Sequence, residues 1–230
     1  MVDQATPKNN LQSLSLELTK EEKTEEDKIE KLYHFVKKRV KYKVTVLKGP
    51  EETLERGYGS CVDKSLLFTE LLRFIGVKSR YRVVLVNLDR LIPKNFLVNF
   101  FLSRLKFPFY FHIFNEVYAG AEWKKMDTSL DGEIERYLQR KNFASGEKGC
   151  SIPAEYILED LGSFDNLSDV FTTPFFIGLF GQGPSYKEKV QDGLNLCNWF
   201  LYMKRKNKTK GLAKKESIED VLVNINKFKR

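Results

Sequence analysis

The chain has 230 residues, 42% of them hydrophobic and 30% charged, the composition of a globular protein with room for one packed domain and an appendage. Its 39 basic and 31 acidic side chains leave a net charge of +8, which suits anionic partners and equally suits a Lys-rich solvated surface. Three scattered cysteines, Cys61, Cys150 and Cys197, form no CxxC pair and have only His34 and His112 for company, which argues against a disulfide framework or a structural zinc site and for a reducing, cytoplasmic setting.

Residues 1–18 are rich in Asn, Gln and Ser and read as a loose tail without the basic-then-apolar pattern of a signal peptide. Thr19 with Glu22, or Thr24 with Asp27, offers a capping box. Ile29, Leu32, Tyr33, Val36 and Val40 then recur at helical spacing, so residues 21–40 are expected to form an amphipathic helix, with His34 a packing residue on it. Residues 41–47 look extended and Gly49-Pro50 ends them; residues 51–55 suit a short helix before the loop Arg56-Gly57-Tyr58-Gly59-Ser60. The next helix should begin at Cys61, with Ser60 as N-cap and Asp63 in the first turn; Leu67, Leu71 and Phe74 continue one face and Gly76 stops it. Residues 79–87, 109–118 and 122–127 read as strands, the last two joined by a hairpin at Ala119-Gly120.

Beyond Asp127 the pattern weakens. Residues 133–140, 185–204 and 218–228 suit helices, 145–153 and 172–184 loops, and 204–215 carry seven basic residues. The most apolar stretch, residues 91–114, is interrupted by Lys94, Arg104 and Lys106, so no membrane span is expected. Its phenylalanines, including Phe96, Phe100, Phe101 and Phe107, suit either ordinary core or an apolar wall for a ligand. No aromatic-plus-basic motif accompanies the basic run, which argues against nucleic acid as a partner. A helix followed by antiparallel strands is an α+β pattern.

One group of residues carries chemistry. Cys61 stands at a helix start behind a glycine-containing loop, where unpaired backbone N–H groups and the positive end of the helix dipole favour a thiolate and can hold a developing oxyanion. His112 lies near the start of one strand, and Asp127, fifteen positions on, ends the strand that pairs with it. The hairpin brings base and orienting carboxylate together, the arrangement that a nucleophilic cysteine needs for acyl transfer at amide carbonyls. Cys150, in a loop, and Cys197, on an apolar helix face, read as structural or incidental, and Asp63 as a cap.

Gly59-Ser60-Cys61-Val62-Asp63-Lys64-Ser65, continuing through Leu71-Leu72-Arg73-Phe74-Ile75-Gly76-Val77-Lys78-Ser79-Arg80, resembles the cysteine block of the transglutaminase-like superfamily. His112-Ile113-Phe114-Asn115-Glu116-Val117-Tyr118 is similar to its histidine strand, and Trp123-Lys124-Lys125-Met126-Asp127-Thr128 to its aspartate block. Two departures stand out: Ile113-Phe114 replaces the usual Ala-Trp, and Thr128 stands where a proline is usual. The resemblance covers residues 28–130. It implies a papain-like, transglutaminase-like α+β core in which the helix bearing the nucleophile packs on an antiparallel sheet, with Cys61, His112 and Asp127 as catalytic triad. It also suggests Tyr42 as a second oxyanion donor; Glu116, on the strand face of His112, and with it Phe114 and Trp123, are candidate cleft residues. On this reading residues 1–18 are a tail, 19–135 the catalytic core and 136–230 a mostly helical extension. No metal or cofactor is implied, the substrate is a protein or peptide, and hydrolysis is favoured over crosslinking.

Overall fold

A computed structural model describes residues 7–43, 49–87, 109–140 and 149–171. The first helix, α1 (Pro7–Thr19), occupies most of what its polar composition marked as a tail. Leu11, Leu14 and Leu18 fall at i, i+3 and i+7, a narrow apolar stripe that the intervening polar residues hide from any average over the segment. Leu11 is buried in the main core with Leu14 and Leu18 packed against it, and the Ser15 hydroxyl donates to the Leu71 carbonyl at 2.7 Å. Thr24, rather than Thr19, caps α2 (Glu25–Arg39), accepting the Asp27 N–H at 3.1 Å, so the helix begins four residues later than its periodicity alone suggested. Acidic residues fill its first turn and basic ones its last, both matched to the helix dipole. His34 is exposed on it, beside Glu30, and does not pack in the core.

A two-residue strand, β1 (Lys41–Tyr42), runs parallel to β2 (Tyr58–Gly59), with α3 (Pro50–Arg56) between them. Gly57, at φ 68°, provides the left-handed residue that ends α3 and turns the chain into β2. The register sets Tyr42 opposite Gly59. There follows α4 (Cys61–Phe74), buried on several sides. Its Leu67, Phe68, Leu71 and Leu72 share a core with Leu11 of α1, with Ile29, Leu32 and Val36 of α2, and with sheet residues Val117, Ala119 and Met126. Val62 and Leu66 pack instead against Tyr81, Val83 and Ile113. Lys64, fully buried on α4, donates to the carbonyl of Val40 at 2.7 Å, placing its charge at the negative end of α2.

The sheet is antiparallel, in the order β5–β4–β3–β6, built from β3 (Ser79–Asn87), β4 (Phe109–Ala119), β5 (Glu122–Met126) and β6 (Ile157–Phe164). Gly120 and Ala121, both left-handed at φ 62° and 67°, make the β4–β5 turn, one position later than the sequence suggested. Strand β6 was not anticipated. Its Glu159-Asp160-Leu161-Gly162 breaks the alternation of a strand, and its pairing to β3 shifts register twice, as suits a bulged edge. Because β6 is hydrogen-bonded to β3, the folded unit runs past residue 135, where the core was expected to end. Short helices α5 (Gly132–Arg140) and α6 (Leu167–Phe171) and a single 3-10 turn at Ala154–Tyr156 complete the described elements. The expected helices at 185–204 and 218–228, the loop at 172–184 and the phenylalanines of 88–108 lie outside the described residues. No helix among those described is long and apolar enough to cross a membrane.

The loop before Cys61 has no spare room. A Cβ on Gly59 would lie 2.7 Å from the Asp63 Cβ and 3.1 Å from the Thr53 methyl, between two rigid helices. Gly59→Ala is therefore expected to lower the unfolding free energy by about 1–3 kcal/mol through overpacking. Thermal denaturation checks this, and a melting temperature equal to that of the parent would contradict the packing described.

Candidate active site

Cys61 is the first residue of α4 and is 6% exposed. A reciprocal capping box fixes its turn: the Ser60 hydroxyl accepts the Asp63 N–H at 3.3 Å, and the Asp63 carboxylate accepts the Ser60 N–H at 2.8 Å and its hydroxyl at 2.7 Å. The box takes up the donors of Ser60 and Asp63 and leaves the N–H groups of Cys61 and Val62 outside it, at the open end of the helix.

The strand carrying His112 is fastened to this helix by polar contacts in an otherwise apolar interface. The Ser65 hydroxyl donates to the Ile113 carbonyl at 3.2 Å, and the Asn115 amide donates to the Ser65 carbonyl at 3.1 Å and the Thr69 hydroxyl at 2.7 Å. His112 is buried, its ring stacked on Phe114 with centroids 5.9 Å apart and edge-on to Tyr110 at 6.3 Å. The β4–β5 register pairs Asn115 with Met126. One more step sets Asp127 opposite Phe114, on the face of His112 and diagonal to it. His112 Nε2 and Asp127 Oδ2 are 2.7 Å apart. The Cys61 side chain lies beside the same imidazole and favours its charged form, and with Nε2 engaged by Asp127 the nitrogen left for the thiol is Nδ1.

Both members of the buried pair are shifted towards their charged forms. Burial alone would push the His112 imidazole down, but the adjacent Asp127 charge, its hydrogen bond and that of Cys61 outweigh this and hold it well above the ordinary value. Burial would raise the Asp127 carboxyl, but the His112 charge and hydrogen bonds from His112 and Ser151 pull it well below the usual range.

Several partners of this pair escaped the sequence reading. Ser151 donates to Asp127 Oδ2 through both its N–H, at 2.9 Å, and its hydroxyl, and the Ser129 N–H donates to Oδ1 at 2.9 Å. Tyr33 of α2, which the sequence shows only as an apolar-face residue, donates its hydroxyl to the Asp127 carbonyl at 3.1 Å and accepts from Lys37. Asp131 caps α5 through the N–H groups of Glu133 and Ile134, and accepts the Tyr42 N–H at 2.7 Å. Tyr110 is raised well above the ordinary phenol value by burial and by the neighbouring Tyr42, Cys61, Asp127 and Cys150, so it stays protonated. An aromatic two residues before a candidate base on the same strand face is the signal that could have found Tyr110; Ser151, 24 positions from Asp127 in an irregular segment, carries no such signal.

Of the remaining expected site residues, Tyr42 does come to the site, within electrostatic reach of Tyr110 and opposite Gly59 in the small parallel pair. Phe114 and Glu116 share the His112 face but face inward, not onto an open cleft. Phe114 is 2% exposed among Val84, Val86 and Ile152, and Glu116 is 6% exposed, held by Arg80 at 2.7 Å, the Ser163 hydroxyl at 2.6 Å and Arg82 at 3.7 Å. Trp123 is exposed and lies edge-on to Tyr118 and under the Arg80 guanidinium. Four residues of strand, about 13 Å at the usual rise, separate it from Asp127.

The model of the transglutaminase-like superfamily matches residues 12–128, and the chain belongs to that family. The match begins within α1, in accord with that helix being part of the folded unit. The crystal structure of "a Putative Cysteine Protease from Cytophaga hutchinsonii" is similar over 70% of this chain, at 16% identity and a TM-score of 0.47. The chain covers 44% of that longer protein. No curated protein matches.

With two histidines in the chain, both imidazoles can be followed by NMR. The His112 signal is expected to titrate above the reference value of about 6.5, and Asp127→Asn to bring it down, because the main charge that opposes burial is then gone. An unchanged midpoint would contradict the pairing. The linked effect on stability has a defined sign. The raised His112 stabilises the fold fully below about pH 6.5 and this is lost as pH rises through its folded value. The lowered Asp127 stabilises it above about pH 3.9, lost as pH falls through its folded value.

Proposed function

We propose that the chain is a cysteine-dependent enzyme that transfers acyl groups from a protein or peptide substrate through a thioester on Cys61, with water as the ordinary acceptor. The observation that supports this above all is the buried convergence of Cys61, His112 and Asp127, with His112 Nε2 2.7 Å from Asp127 Oδ2 and the sulfur at the start of α4. All three residues are ionisable, and two of them are buried as a pair at a cost in desolvation that a purely structural role does not require.

The steps follow from the positions. His112 takes the thiol proton on Nδ1 while Asp127 holds Nε2–H, giving a thiolate–imidazolium pair oriented by the carboxylate. The sulfur attacks the amide carbonyl carbon, a C–S bond forms, and the oxygen gains the charge. The N–H of Cys61 at the helix end supports that oxyanion, with the Tyr42 hydroxyl as second donor. The carbonyl reforms as the C–N bond breaks, and the Nδ1 proton passes to the departing amine. Water, deprotonated by His112, then cleaves the thioester and releases the acid. An amine in its place would give crosslinking by the same steps, so the outcome depends on access of water to the thioester.

Peptide and glutamine-amide libraries, assayed with and without a primary amine, provide the test. Acid release that needs no amine is expected. Cys61→Ala should abolish it, and His112→Ala and Asp127→Asn should lower kcat/KM on the order of 10²–10⁴-fold. Product formed only with amine present would turn the reading to crosslinking, and activity retained by Cys61→Ala would end it.

A further inference from the structure

The buried pair has a third neighbour. Cys150 precedes the 3-10 turn, and its sulfur, a ring nitrogen of His112 and a carboxylate oxygen of Asp127 all lie within 4.8 Å of one another. Among the described residues this is the one group of three His, Cys, Asp or Glu side chains so placed. Sequence spacing could not reveal it, because the donors come from β4, from the end of β5 and from a segment more than twenty positions further on.

We propose that His112, Asp127 and Cys150 form a zinc site whose occupation switches the enzyme off. The inhibitory consequence rests on the function proposed above; the binding itself does not. The donor set is one nitrogen, one oxygen and one sulfur, the ligand types zinc accepts in tetrahedral sites with a fourth position for water. Ligands about 2.0–2.3 Å from a tetrahedral ion stand roughly 3.5 Å apart, so shifts on the order of 1 Å turn the present cluster into a coordination shell. A neutral imidazole, a carboxylate and a thiolate balance the two positive charges, which suits a site with buried walls. Val84, Val86, Phe114 and Ile152 provide those walls and pack around Cys150.

The surroundings also orient the ligands. The N–H groups of Ser129 and Ser151 hold the Asp127 carboxylate, and Phe114 lies against the imidazole ring. The residue before Cys150 lies hard against the end of β5. Gly149 sits at φ 90°, and a Cβ there would lie 1.8 Å from the Lys125 carbonyl oxygen, so only glycine permits this close approach to the end of β5.

The ion would take the Nε2 side of His112, opposite the nitrogen facing Cys61. Binding displaces two protons to solvent, one from Nε2 and one from the Cys150 thiol. Zinc then occupies the position from which Asp127 orients the ring, and the imidazole can no longer carry the extra proton it needs as general acid. The nucleophile itself stays free of metal, which separates this site from simple capture of a reactive thiol.

Cobalt chloride, a spectroscopic stand-in for zinc, and zinc chloride test the proposal on the full chain. Cobalt should give a thiolate-to-metal charge-transfer band that zinc displaces. The band should persist in Cys61→Ala and vanish in Cys150→Ser, which should also bind zinc at least about tenfold more weakly. Cys150→Ser, or Cys150→Ala if the serine variant melts early, should keep its basal turnover and escape zinc inhibition. No band in the parent protein, a band surviving in Cys150→Ser, or a band lost in Cys61→Ala would each overturn the site. Absence of turnover on every substrate would undo the function proposed above while the cobalt and zinc binding results still decided this one.

Discussion

The rest of the structure is organised around one buried ion pair. A protonated imidazole and a carboxylate, both with side chains only 2–3% exposed, are stable inside a protein only when each meets the other and the remaining lone pairs and protons find partners. That requirement accounts for features otherwise unrelated. The β4–β5 hairpin must hold its register, since a slip by one residue would carry Asp127 to the opposite face of the sheet from His112. The segment 149–152 must dock against the end of β5, because it supplies the Ser151 donors that Oδ2 needs. Helix α2 contributes Tyr33 to the Asp127 backbone, so even a helix remote in sequence bears on the pair.

A second constraint meets the first at the sulfur. The start of α4 is fixed by a cap on one side and by the crowding of Gly59 on the other, and its body is buttoned to β4 through Ser65, Thr69 and Asn115. Thiol and imidazole are therefore set by two rigid elements whose mutual position is fixed by buried hydrogen bonds, the kind of support that holds a reactive geometry in place. The apolar cores above and below this polar seam exclude water from the hydrogen bonds that define it.

Much of this was legible in the sequence where local chemistry and periodicity agreed. Ser60 and Asp63 announced the start of α4, a run of β-branched and aromatic residues marked β3, and the Cys61, His112 and Asp127 blocks pointed to one family. What was lost had physical reasons. Helix α1 hides a three-leucine stripe in a polar segment, and that stripe has meaning only once α4 is there to receive it. Strand β6 is stabilised by pairing along an edge rather than by its own alternation. Ser151 and Cys150 reach the site through a docked irregular segment, where no period links them to Asp127. Phe114 and Glu116 were placed on the right face, but a face shared with His112 proved to be core and ion-pair network, not open cleft. Facing alone does not tell which part of a sheet is covered.

The most direct test of the Cys61–His112–Asp127 arrangement is the rate at which each cysteine is alkylated by iodoacetamide at mildly acidic pH, read by peptide mass spectrometry. Cys61 should react well ahead of Cys150 and Cys197, and lose that advantage in His112→Ala and Asp127→Asn while the folded state is kept. Equal rates at all three cysteines, or a Cys61 rate indifferent to both substitutions, would contradict it.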